Sequence, residues 1–241
     1  MRLGLYLFEN SLAHSRSFAK SLITEGKVTV DSLVITKPSY EVSEGQNVEI
    51  ATEEFYVSRG AYKLRGAVEK FGIPIKDRLC IDVGASSGGF TDYLLKNGAK
   101  KVIAVDSGSG QLAASLREDD RVIVFENYNA RYMEGSHFDF SPSLAVMDVS
   151  FISATYIIEA VYNVLDKDGD FVCLIKPQFE VGRTYVGKGG IVKDDKARAS
   201  AVKKVVDFAE SIGFCTVGTM RSTIAGGDGN IEFLAYFTKK F

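Results

Sequence analysis

The chain has 241 residues, 46% hydrophobic and 25% charged, with a formal net charge of −2. This length and apolar fraction suffice for a buried core and fit one large domain, or a small domain beside a medium one. The near-neutral charge excludes a globally basic nucleic-acid binder, so any RNA contact must rest on a local patch.

In chain order, residues 1–50 read as a separate unit. Leu3 and Leu7 have the spacing of a short helix. A second helix is predicted from Ser15 to Glu25, with Phe18, Ala19, Leu22 and Ile23 on its apolar face and Arg16 and Lys20 on another. Gly26 follows as a C-terminal cap. Residues 28–30, 33–35 and 48–50 read as short strands, and the polar stretch 51–60 as a link between domains. Arg2, Arg16, Lys20, Lys27 and Lys37 slightly outnumber the acids over the first 37 residues.

From residue 61 the pattern changes. Strand-like runs at 79–83, 101–106, 122–126, 144–148 and 171–175 alternate with helical patterns near 88–97, 110–118 and 154–165. This alternation implies a parallel, doubly wound α/β sheet. A last helix, 194–212, precedes strands at 214–221 and 231–238, joined by the glycine-rich IAGGDGN. That link suggests an antiparallel hairpin at one edge.

Cys80, Cys173 and Cys215 are far apart in apolar stretches and form no CxxC pair, which predicts buried, reduced thiols and no zinc cluster. His14 and His137 stand in unrelated contexts and make no metal site. Glu9 interrupts the apolar N-terminus, and Asp148 and Glu159 interrupt the longest apolar run, so neither a signal peptide nor a membrane span is expected. A cytoplasmic location follows as an expectation.

The first strand of the α/β part runs into DVGASSGGF, residues 82–90. Glycines at a strand-to-helix turn let a ligand approach the backbone and the helix amides. The spacing of Gly84, Gly88 and Gly89 is not that of the dinucleotide fingerprint. Asp106 ends the next strand, where a carboxylate accepts from both ribose hydroxyls of a nucleoside. The pairing suits adenosine without a pyrophosphate, hence S-adenosylmethionine over a nicotinamide cofactor. Glycines that only make a tight turn are the plainer alternative. Asn129 follows the third strand at a position that could read an adenine edge or merely form a turn.

Asp148 and Lys176 end the fourth and fifth strands, and Glu232 begins the last. Carboxyl ends of parallel strands, and the start of an antiparallel one, share one edge of the sheet, where ligands bind. Lys63, on the helix before the first strand, could add a fourth charge. A ribose hydroxyl is a weak acid and a poor nucleophile, so it needs a base or a neighbouring cation. A partly neutral lysine can be that base. Asp148 and Glu232 would orient the two amines, and no metal is required.

These residues resemble those of the TlyA-type family, whose members are described both as haemolysin A and as ribosomal RNA ribose methyltransferases. RLGLYL and SRSFAKSLITEGKVTV resemble the RNA-binding domain of the fourth small-subunit ribosomal protein, although Gly4 replaces an aspartate and Asp31-Ser32 replaces an Asn-Gly turn. YVSRGAYKL, DVGASSGGFTDYLL, VDSGSGQL, MDVSFIS, LIKPQFE and GNIEFL resemble the motifs of FtsJ/RrmJ-type ribose methyltransferases. The resemblance implies a Rossmann-like, mostly parallel seven-stranded sheet over 61–241 and a small α+β RNA-binding domain over 1–50. It implies a catalytic tetrad of Lys63, Asp148, Lys176 and Glu232. S-adenosylmethionine would be held by Asp82, Gly84, Ser86, Gly88, Gly89, Phe90, Asp106 and Asn129. RNA contacts would fall on Arg2, Arg16, Lys20, Lys27 and Arg59, and the partner would be ribosomal RNA or a ribosomal subunit, with neither membrane nor metal. A haemolysin-like lytic protein and a nonenzymatic ribosome-assembly factor stand as alternatives.

Overall fold

The computed structural model describes residues 1–10, 12–13, 15–50 and 56–239. His14 and the expected link at 51–55 lie outside these residues. The chain divides into two compact units, Met1–Phe55 and Tyr56–Phe241.

In the first unit, helices α1 (Leu3–Glu9) and α2 (Arg16–Thr24) accompany strands β1 (Val28–Val30), β2 (Leu33–Val34) and β3 (Val48–Ile50). The strands form an antiparallel sheet of order β2-β1-β3. Ser15 caps α2, its hydroxyl accepting from the Phe18 amide at 3.2 Å. Leu3, Leu7, Ala19, Leu22, Ile23, Val28 and Val30 make the core. The β1–β2 turn places Asp31 and Ser32 at φ 49° and 66°, the left-handed pair that a two-residue hairpin demands. Asp31 is held there because its carboxylate accepts from Asn47 N and Gln46 Nε2, each at 2.9 Å. Asp-Ser therefore does the work of the usual Asn-Gly.

The second unit carries α3 (Gly60–Phe71), β4 (Leu79–Val83), α4 (Gly89–Lys96), β5 (Lys101–Val105), α5 (Ala114–Arg117) and β6 (Val122–Phe125). Then follow β7 (Leu144–Met147), α6 (Thr155–Val164), β8 (Asp170–Ile175), α7 (Pro177–Glu180), α8 (Asp195–Ser211), β9 (Phe214–Arg221) and β10 (Phe233–Lys239). The seven strands lie in the order β6-β5-β4-β7-β8-β10-β9. The first five are parallel, and β10 runs antiparallel to both β8 and β9. Side chains alternate across the sheet. Leu144 and Val146 face the layer of α3 and α4, whereas Ala145 and Met147 face that of α6 and α8. Both faces being covered explains why the central strands read as continuous apolar runs. From β4 the chain goes outward to β5 and then returns to β7 on the other side. The crevice for a ligand therefore opens above the carboxyl ends of β4 and β7.

Four sequence expectations need correction. Residues 56–60 are not linker: Tyr56 is 2% exposed in the second core, and the Val57 amide donates to Asp92 Oδ2 at 2.8 Å. The helix expected over 110–118 shrinks to Ala114–Arg117, because Gly110 takes φ 67° and the segment before it wraps the Asp106 carboxylate. The last strand begins at Phe233, one residue after Glu232. Cys215 is exposed on edge strand β9, whereas Cys80 and Cys173 are buried. No helix among the described residues is long and apolar enough to cross a membrane.

Candidate active site

The turn from β4 into α4 is shaped by two left-handed glycines. Gly84 has φ 85°, and a Cβ there would come within 2.6 Å of the Asp148 carbonyl oxygen, so only glycine lets the ends of β4 and β7 approach. Gly88 has φ 94° and caps α4. A Cβ on it would meet Leu116 and Leu112, so this residue serves packing and does not line either cavity described below.

Asp82, at the end of β4, is wholly buried. Its Oδ2 accepts from Thr91 N at 2.9 Å and Thr91 Oγ1 at 2.7 Å, while its Oδ1 has no hydrogen-bond partner among the described residues. Burial pushes the carboxyl up to about 7, with the negative charges of Asp148 and Asp106 adding to the effect and the Thr91 bonds opposing it. Asp106 follows β5. Its Oδ2 accepts from Ser86 N and its Oδ1 from Gly108 N, both at 2.7 Å. Asp106 thus clips the glycine turn to the next loop while keeping lone pairs for a ligand. Asn129 Oδ1 accepts from Arg131 N at 3.1 Å, capping a short 3-10 turn over Ala130–Tyr132. Together Gly84, Ser86, Asp106, Gly108, Tyr128 and Asn129 contribute to a trough of about 680 Å³.

A second cavity of about 420 Å³ continues from the trough, sharing Gly84, Ser86, Asp148 and Ser150 with it. Asp82, Gly89, Phe90, Lys63, Lys176 and Arg59 also line it. Two ion pairs dominate this end. Lys176 Nζ lies 2.6 Å from Asp148 Oδ1 and donates to Ser150 Oγ at 2.6 Å. Lys63 Nζ lies 2.6 Å from Glu232 Oε2. Lys63, Asp148 and Lys176 are on the wall. Glu232 is not among the lining residues and, at 3% exposure, reaches the cavity through Lys63.

Of the remaining candidates, Arg2, Arg16 and Lys20 are exposed on the first unit, and Lys27 is paired with Glu25 at 3.3 Å. Sequence reasoning missed Ser150, because a serine three residues after the end of a strand carries no signal of its own. It also missed Phe151, 91% exposed at φ 64° and 5.3 Å from the Phe179 ring. Among the described residues no group of three His, Cys, Asp or Glu side chains could hold a metal ion.

Residues 56–239 match the family of FtsJ-like methyltransferases, and residues 1–48 match the S4 domain. The chain is 44% identical over 237 residues to the 16S/23S rRNA (cytidine-2'-O)-methyltransferase TlyA of Mycobacterium tuberculosis, covering 98% of this chain and 88% of that one. It is 42% identical over 238 residues to Hemolysin A of Brachyspira hyodysenteriae, covering 98% and 99%. A solved chain from Streptococcus thermophilus that carries the hemolysin name superposes with a TM-score of 0.77 at 41% identity, over 100% of this chain and 88% of that one.

Proposed function

The chain belongs to the FtsJ-like methyltransferase family, and on that premise we propose that it transfers a methyl group from S-adenosylmethionine to a ribose 2'-hydroxyl of ribosomal RNA. The observation that carries this reading is the pair of lysine–carboxylate contacts, each 2.6 Å, at the cavity above the switch point of the sheet. The residues present fit the cofactor. Asp82 lines the cavity, and its Oδ1, without a hydrogen-bond partner among the described residues, is an acceptor suited to an ammonium donor. Asp106, already ordered by two amides, offers its free lone pairs to ribose hydroxyls. When bound, S-adenosylmethionine supplies an activated methyl on a sulfonium.

The chain's own task is then to align and deprotonate a poor nucleophile. Lys176, acting as a neutral amine that has first given up its own extra proton to solvent, takes the proton that the 2'-hydroxyl loses as its oxygen attacks. Asp148 and Ser150 hold the resulting ammonium at the strand end. Lys63, anchored by Glu232, sets a positive charge beside the developing alkoxide. Fixing the hydroxyl in line with the transferred carbon accounts for much of the expected acceleration. Arg59 lies on the same wall and is placed to meet a phosphate of the substrate strand. Arg2, Arg16 and Lys20 of the S4 unit give sequence-independent grip on the RNA backbone. A nonenzymatic assembly factor would have no use for a buried and a half-buried amine–acid pair on one cavity.

Mapping 2'-O-methylation on ribosomal RNA from cells with and without the protein, and with Lys176→Ala, tests the reading. A 2'-O-methyl mark that depends on the protein and vanishes with Lys176→Ala is expected. An unchanged methylation map would overturn it.

A further inference from the structure

Glu180 is a buried carboxylate that methyl transfer, as derived above, leaves unused. It ends α7, four residues after Lys176, and its side chain is 2% exposed. Its Oε2 accepts from Ser153 Oγ at 2.5 Å and pairs with Lys204 Nζ at 3.0 Å. Its Oε1 accepts from Ala154 N at 2.7 Å. Lys204, reaching over from α8, also donates to Ser153 Oγ and to the Glu180 carbonyl oxygen, each at 3.2 Å.

These contacts join two segments that leave adjacent strands at the catalytic rim. The β7–β8 ladder pairs residues only as far as Met147 and Cys173. Beyond it, Asp148 and Ser150 lie on one segment and Lys176 on the other. The first segment also contains Phe151 in a left-handed conformation, which costs a residue with a Cβ about 1–2 kcal/mol and persists only where the surroundings hold it. The Glu180 clamp fastens that segment at its far end, at Ser153 and Ala154.

We propose that Glu180 is a positioning residue: with Lys204 it fixes the spacing between the segment of Asp148 and Ser150 and that of Lys176, and so holds the Lys176 amine in register with the 2'-hydroxyl. The inference rests on the reading of Lys176 as the base.

The test compares full-length Glu180→Ala, Glu180→Gln, Ser153→Ala and Lys204→Met with the unmodified chain and with Lys176→Ala. S-adenosylmethionine sites are counted by calorimetry, and kcat is expressed per site. Misplacing a catalytic group by an ångström costs about a hundredfold, so Glu180→Ala is expected to lose about that in kcat per site, while Kd for S-adenosylmethionine and KM for RNA stay within about twofold. Glu180→Gln keeps an acceptor for Ala154 N and is expected to lose less, about tenfold. A clamp that served stability alone would reduce the number of sites and leave kcat per site unchanged, which would overturn the inference. If Glu180→Ala fails to fold, Ser153→Ala and Lys204→Met each remove one arm of the clamp. A loss of about threefold or more in kcat per site upholds the inference, and an unchanged value overturns it. Lys176→Ala separates the two readings. Retained transfer in that variant refutes the base itself. A silent Lys176→Ala beside Glu180 variants of normal kcat refutes only the positioning role.

Discussion

The trough and the cavity that carries the two ion pairs share a wall but are built differently. The trough is held by backbone amides: Asp106 grips Ser86 N and Gly108 N, and Asn129 caps the turn that follows it. Its parts come from successive strand-to-helix turns. The cavity is held by charged side chains, Lys63 with Glu232 and Lys176 with Asp148, from four separate stretches of chain. On the proposed function, the difference assigns affinity for a nucleoside to one end and activation of a hydroxyl to the other. Substitutions on one side should move binding, and on the other side turnover.

The widest separation is expected at Lys176. Removing a general base costs about two to four orders of magnitude, so Lys176→Ala should lose about a thousandfold in kcat while calorimetry finds the same affinity for S-adenosylmethionine. A parallel loss of affinity would break the division between the two ends. Asp106→Ala is the converse. Losing hydrogen bonds to a charged group costs about 1.5–3 kcal/mol, so Kd should rise about ten- to a hundredfold, with kcat at saturation changed far less. Glu232→Gln keeps the shape at Lys63 but removes the opposing charge. Steady-state kinetics should register a fall in kcat of about tenfold with Kd unmoved, and a loss confined to Kd would place Lys63 with the trough.

Asp82 lines the smaller cavity beneath the glycine turn, and its effect is expected in stability. Burial pushes its folded carboxyl up to about 7, against 3.8 for the ordinary group. Between those values the folded chain holds a proton that the unfolded chain has lost, so this group's contribution to stability declines as pH rises from about 4 to about 7. Asp82→Asn does not titrate. Its thermal stability relative to the unmodified chain should therefore improve between pH 5 and pH 8, by about 3 kcal/mol. A gap that stays constant across that range would mean that the carboxyl is not desolvated. Saturating S-adenosylmethionine, whose ammonium would partner Oδ1, should shrink the widening.

Much of the second unit could be read directly. The β-α alternation gave five strands to within a residue or two, since apolar periodicity and glycine stops are local properties. Even the departure at Asp31-Ser32 was harmless, because two nearby donors steady the Asp31 side chain in its turn. The misreading at the domain boundary has a physical cause. Tyr56 stands in a polar stretch but fills the core. The neighbours that decide its role are remote in sequence.

Sequence alone determined which segments become strands and helices, the glycine turn after β4, and the presence of charges at strand ends, because all of these follow from hydrogen bonds and side-chain periodicity within a few residues. Tertiary structure alone decided that Lys63 meets Glu232, that Lys176 meets Asp148 and Ser150, and that Glu180 ties Ser153 and Ala154 to Lys204. Those partnerships depend on strand order and on how far each ladder extends, which are set by the packing of the whole sheet between its two helical layers.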